Sequence, residues 1–446
     1  MEILFVVFLI CLEAALLVLT FVRFRAKAQW LQNRTLARAI EFVLLLGITL
    51  MPFTHMKFRF TGALILLGVL LLIAGIRWLV RRKKATGDVK KGKIITSTIL
   101  SAVMILFALA PAFLFTNYNG MKTTGAYPVR TCSAILSDDS RADLFETDGS
   151  PREVPVHFYC PDADGSFPLI VFSHGAFGYY QSNYSTYAEL ASNGYIVASL
   201  DHPHHAFFTS DTDGKIVLVD GEFIQNAVDI ENGVKSTEEV FAITRDWMRL
   251  RTDDIGFVLD TILAAKQDGA LNGAWHTEDA ATILSVLADT DTAHIGLIGH
   301  SMGGAASVSL GRTRSDIAAV IDLDGTMLDE IEGVENVAFR NIETPYPVPV
   351  LDICGRKDYS GTEPQDDVYT SVNTYVTAHA PVGKTVVFDG VGHMDFTDLP
   401  LFSPFLASML GSEKIDHEAF LGKVNGLVLN WFDYYLKGTG TLDIHA

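Results

Sequence analysis

Cysteine is scarce, with four residues in 446. None of Cys11, Cys132, Cys160 and Cys354 has the close spacing that a metal site requires. No metal and no cofactor is therefore assigned. Internal repeats and low-complexity tracts are absent, which excludes solenoid and array architectures. Basic charge is missing from most of the chain: after residue 120, 19 Lys and Arg face 48 Asp and Glu. A domain of that sign offers no electrostatic footprint for nucleic acid.

The first 120 residues reverse the balance, with 15 basic residues against 4 acidic ones. They also hold four apolar stretches, at about 3–22, 39–56, 61–80 and 94–115. Each approaches the roughly 20 residues that cross a ~30 Å hydrocarbon core as a helix. The first is too long for a signal-peptide core and three more follow it, so cleavage is not expected. Lys and Arg crowd the first and third connections, while the second carries only Lys57 and Arg59. The bias places the N-terminus and everything after about Asn117 outside a cell membrane. The expectation is a four-helix anchor over 1–120 and an extracytoplasmic domain over 121–446. Glu13, in the middle of the first stretch, is expected to be neutral or paired with a neighbouring helix.

From Tyr127 onward short β-type runs alternate with helical ones. That pattern predicts an α/β fold with a mostly parallel eight-stranded sheet flanked by helices. The strand candidates are 129–135, 154–159, 169–173, 196–200, 295–298, 318–323, 348–354 and 385–388. Helices are expected over 186–193, 246–266, 302–312 and 420–436. Residues 206–240 are polar and weakly patterned, an excursion read as a lid near the site. Cys132 and Cys160 flank a turn-rich stretch, where a cross-strand disulfide and two buried free thiols are both open readings.

The string Ile295-Gly-Leu-Ile-Gly-His-Ser301-Met-Gly-Gly-Ala305 joins a predicted strand to a predicted helix through a glycine-flanked serine. Such an elbow presents Ser301 above the sheet as a nucleophile. Two strands earlier, Ser173-His-Gly-Ala-Phe-Gly178 is placed to supply an oxyanion donor. The expected donors are the N–H groups of Ala176 and Met302. Of the four histidines after Ser301 (His379, His393, His417 and His445), only His393 comes directly after a predicted strand, so it is the expected base. For the acid, Asp324 and Asp358 each follow a strand candidate, and spacing does not separate them. His202, His204 and His205 cluster, but Pro203 interrupts them and no acidic residue has suitable spacing for a shared metal.

These motifs resemble the plasma-type platelet-activating-factor acetylhydrolases and their bacterial relatives. The resemblance runs from about Tyr127 to Gly438 and includes Ser150-Pro-Arg-Glu-Val-Pro-Val156, His174-Gly175, Leu190–His202, Gly299–Gly304, Leu323-Asp-Gly325, Gly392-His393 and Tyr435–Gly438. It implies an α/β-hydrolase fold, and it places the acid after the strand that follows the nucleophile helix, at Asp324. It also implies a carboxylic-ester hydrolase acting on lipid or short-acyl phospholipid esters, with the membrane as its other partner. A broad-specificity esterase, lipase or acyltransferase is the alternative chemistry, and an inactive hydrolase-fold scaffold is the alternative class. The apolar segment and residues 203–240 depart from the secreted members.

Overall fold

The structure is a computed structural model that describes residues 7–8, 11–15, 18, 26–83, 87, 90–356 and 368–445. It divides into two compact units, Met1–Gly120 with Leu401–Leu406, and Met121–Pro400 with Ala407–Ala446.

In the first unit, helices Lys27–Leu50 and Phe58–Arg81 pack on one another. Leu45, Phe60, Ala63, Leu67, Ile105 and Leu109 form their shared core. Among the described residues, only Phe58–Arg81 is long and apolar enough to cross a membrane, which supports one of the four expected helices. Most of the expected span 3–22 lies outside the described residues. The span expected at 39–56 stops at Leu50 because Met51 precedes Pro52 and takes an extended conformation. The span expected at 94–115 is divided into helices Lys91–Ala108 and Ala110–Leu114, with Pro111 in the first turn of the second. Glu13 is paired: buried Arg38 bridges it to Glu41, the second contact at 2.5 Å.

The second unit is built on a nine-stranded mixed sheet. Its strands are β1 (Val129–Ala142), β2 (Pro151–Pro161), β3 (Phe167–Ser173), β4 (Ile196–Leu200), β7 (Trp275–His276), β8 (Thr290–His300), β9 (Ile317–Leu323), β12 (Val350–Arg356) and β13 (Gly383–Asp389). Two small hairpins lie outside it, β5 (Phe208–Ser210) with β6 (Ile216–Leu218), and β10 (Ile331–Glu335) with β11 (Ala338–Asn341). The spatial order is β13-β12-β9-β8-β3-β4-β2-β1-β7. Pairings from β4 through β13 are parallel, whereas β2, β1 and β7 add antiparallel edges.

All eight predicted strands are present. The ninth, β7, has two residues, too few to show periodicity; Trp275 earns its place by stacking near Phe158 and pairing with Leu136. Because β3, β4, β8 and β9 are buried on both faces, they read as unbroken apolar runs rather than alternating ones. The region 206–240 is more ordered than its polarity suggests: it holds the β5–β6 hairpin and a helix, Gly221–Glu231, capped by Asp220.

The expected long helix starts nine residues earlier than predicted. It spans Thr237–Asp268 because Ser236 and Glu239 form a reciprocal capping box. Cys132 and Cys160 are both buried free thiols, which settles the two open readings. Cys132 lies opposite Phe158 and Cys160 opposite Arg130, so the two cysteines are never a directly facing pair.

Candidate active site

The parallel strands point their C-terminal ends to one edge of the sheet, and the predicted residues gather there. Ser301 sits between β8 and the helix Met302–Thr313 with φ 54° and ψ −126°, a conformation that non-glycine residues adopt only under strain. Its N–H donates to the Leu323 carbonyl at 2.9 Å, tying the turn to the end of β9. Two glycines make the turn sterically feasible. A Cβ at Gly299 would sit 2.2 Å from the Gly303 carbonyl carbon, and one at Gly303 would sit 1.9 Å from the Ser173 oxygen.

Asp324 follows directly on β9, at φ 53°. Its N–H donates to the Ile353 carbonyl at 2.8 Å. One carboxylate oxygen accepts the Gly355 N–H at 2.7 Å, and the other lies 2.6 Å from His393 Nδ1. Burial raises the carboxyl pKa, but the hydrogen bond and charge of His393 outweigh it and hold Asp324 below its ordinary value. With Nδ1 committed to Asp324, Nε2 is the ring nitrogen of His393 left for chemistry. The alternative acid, Asp358, lies outside the described residues. Of the other downstream histidines, His379 ends the helix Val368–His379 with Nδ1 2.8 Å from the Tyr375 carbonyl, His417 lies 3.3 Å from Asp395 and His445 is in the exposed tail.

His300, the residue before Ser301, packs against His393 with ring centroids 4.5 Å apart and the planes tilted by 36°, and places its Nε2 3.1 Å from the His393 carbonyl. A carbonyl only accepts, so Nε2 carries the proton. Burial, then the charge of His393, pushes the His300 pKa down to about 3, so this ring is neutral at ordinary pH. Its positioning role was not visible in the sequence, where it fills only the variable place of the elbow.

The loop after β3 covers the serine. A Cβ on Gly175 would lie 3.1 Å from Ser301 Cβ. Neither the Ala176 N–H nor the Met302 N–H donates to another described residue. Loop residues are also tied to the 206–240 region: the Phe177 N–H donates to the His205 carbonyl at 3.0 Å, and the Phe207 N–H to the Gly178 carbonyl at 2.9 Å.

Sequence reading missed a buried polar network beneath this loop. The Ser173 hydroxyl donates to His202 Nε2 at 2.9 Å, and His202 Nδ1 donates to Asp254 at 2.9 Å. Arg152 grips Asp254 through Nε at 3.2 Å and Nη2 at 2.8 Å. This Ser–His–Asp chain mimics a catalytic one, yet all three members are fully buried. The clustered histidines thus have separate structural partners, and no group of metal-binding side chains occurs among the described residues.

Under the site, Asp322 and Asp352 face one another across β9 and β12. Burial raises both pKa values, and neighbouring carboxylates raise them further, Asp352 to about 7. Between the ordinary carboxyl value of about 4 and about 7, the folded chain keeps protons that the unfolded chain releases. Stability therefore falls as pH rises through that window. Asp352→Asn should shrink the loss of stability between about pH 5 and about pH 8 by about 1–3 kcal/mol, measured by urea unfolding at each pH. An unchanged loss would show that this carboxyl does not carry the proton.

Residues 156–423 match the family described as platelet-activating factor acetylhydrolase, isoform II. The platelet-activating factor acetylhydrolase of Bos taurus is 31% identical over 150 residues, 32% of this chain and 31% of that protein. The chain thus spans about a third of the length of this curated relative. Among solved structures, a ferulic acid esterase from Streptomyces cinnamoneus superposes with a TM-score of 0.52 at 20% identity, covering 73% of this chain and 95% of that one. That likeness speaks to the fold, an α/β-hydrolase architecture. Since the family match covers more than half of the sequence, the chain belongs to the family described as platelet-activating factor acetylhydrolase, isoform II.

Proposed function

We propose that the protein is a membrane-anchored serine esterase that cleaves lipid or short-acyl phospholipid esters through an acyl-enzyme on Ser301. The observation that carries this reading is the 2.6 Å contact between His393 Nδ1 and Asp324, beside a serine held in an elbow. Ser301 Oγ attacks the ester carbonyl while His393 Nε2 takes its proton. Asp324 holds the ring in that tautomer and stabilises its cationic form. The N–H groups of Ala176 and Met302 receive the developing oxyanion. His393 then protonates the leaving alcohol, and water, deprotonated by the same ring, releases the acid.

Two features favour lipid esters. Phe177, Phe207, Phe208, Ile216 and Leu218 are exposed on the segments joined to the covering loop. In the first unit, Ile65, Leu72, Ile76, Leu79 and Val80 of the Phe58–Arg81 helix are also exposed, as expected of a helix facing hydrocarbon. The basic residues after that helix, Arg81, Arg82 and Lys83 among them, mark its C-terminal end as cytoplasmic; crossing by the shorter apolar helix Lys91–Ala108 as a further span puts the hydrolase unit outside.

In detergent-purified full-length protein, Ser301→Ala should abolish hydrolysis of p-nitrophenyl esters, and Asp324→Asn should lower kcat by about 10³–10⁴-fold. Short-acyl phospholipids should be turned over by the unmodified chain. Full activity in Asp324→Asn would remove Asp324 from the mechanism, and activity confined to soluble esters would remove the lipid assignment.

For the anchor, alkaline carbonate should leave the chain in the membrane fraction. Protease added outside right-side-out vesicles should degrade residues 121–446, and protection of that unit would reverse the proposed orientation.

A further inference from the structure

Arg251, on the Thr237–Asp268 helix, is fully buried. Among the described residues no carboxylate forms an ion pair with it, and its Nε has no partner. Burying a guanidinium on such terms is costly, and an apolar residue of similar size would favour stability at least as well. Its terminal nitrogens go instead to two consecutive carbonyls of the loop over Ser301. Nη1 donates to the His174 oxygen, and Nη2 donates to the Gly175 oxygen at 3.3 Å.

Peptide geometry turns these contacts into an effect at the site. The Gly175 carbonyl and the Ala176 N–H belong to one planar trans peptide unit, so they point in opposite directions. A donor that holds the oxygen from the core side aims the N–H away from the core. The Gly175 oxygen also accepts from His174 Nδ1 at 2.6 Å and from the Gly178 N–H at 3.1 Å. Those two donors belong to the loop itself and move with it. Arg251 is the one donor that ties the peptide to a separate helix, and the one with a full charge, which polarises the peptide and strengthens the opposite N–H as a donor.

The helix is itself locked. Asp254, one turn further along, binds Arg152, Arg141 and His202, the last of which takes the Ser173 hydroxyl at the start of the loop. Complete burial, offset in part by Asp254, lowers the Arg251 pKa from its ordinary value.

We infer that Arg251 is a positioning residue for ester cleavage, fixing and polarising the Gly175–Ala176 peptide so that its N–H meets the oxyanion on the substrate. This rests on the Ser301 reading above. A purely structural arginine would matter to folding alone; a positioning one alters how the enzyme responds to the atom that becomes the oxyanion.

The test compares matched oxo- and thiono-esters, in which sulfur replaces the carbonyl oxygen, on full-length protein. The unmodified enzyme should prefer the oxo-ester strongly, because the donors are spaced for oxygen. Arg251→Met should stay folded with an unchanged or higher melting temperature and a KM within about threefold, while kcat on the oxo-ester falls at least about tenfold. Its oxo-to-thiono ratio should collapse toward unity, and Arg251→Lys should lie between the two. An unchanged kcat, or a fall with the ratio preserved, overturns the proposal. Should Arg251→Met fail to fold, the ratio in Arg251→Lys decides by the same criterion. Turnover surviving in Ser301→Ala would instead refute the acyl-enzyme reading, whatever Arg251 does.

Discussion

One hydrogen bond, from the Ser301 N–H to the Leu323 carbonyl, sets the geometry on which the rest of the site depends. It fastens the strained turn after β8 to the last residue of β9, so the next residue, Asp324, is placed beside the serine. Asp324 is fastened in turn to Ile353 and Gly355 of β12, and its free oxygen receives His393 from beyond β13. Four neighbouring strands each contribute one fixed point, and parallel pairing makes all four points fall at the same end of the sheet. A positive φ at both Ser301 and Asp324 is strain that this mutual fastening sustains.

Around that lattice, burial sorts the ionisable groups. It pushes His300 to about 3, His202 to about 4 and His205 to about 2, so these rings are neutral, the first two engaged in hydrogen bonds and the third packed against Phe223. Asp324 escapes the same fate because His393 and a backbone N–H stabilise its charge. The accessible His–Asp pair is His393–Asp324, with His393 43% exposed; in the Ser173–His202–Asp254 chain every member is buried and the chain braces a loop.

Much of this was legible in the sequence. The eight strands announced themselves as apolar runs, and the elbow as a serine between glycines bounded by a strand and a helix. His393 stood out as the one downstream histidine after a strand. Asp324 was separated from Asp358 only by family resemblance, because the contact that joins Asp324 to His393 spans 69 residues and leaves no local pattern. Arg251 was invisible for a related reason: in a helix rich in charged residues, nothing local says which arginine turns inward. The apolar stretches of the first unit misled on helix boundaries because composition averages over Pro52 and Pro111, whose effects are local and decisive.

The most direct test of the account is to treat the full-length protein with a fluorophosphonate and locate the adduct by peptide mass mapping. The account predicts a single phosphonyl group on Ser301, lost in Ser301→Ala. Labelling at Ser173, or no labelling of a folded chain, would contradict it.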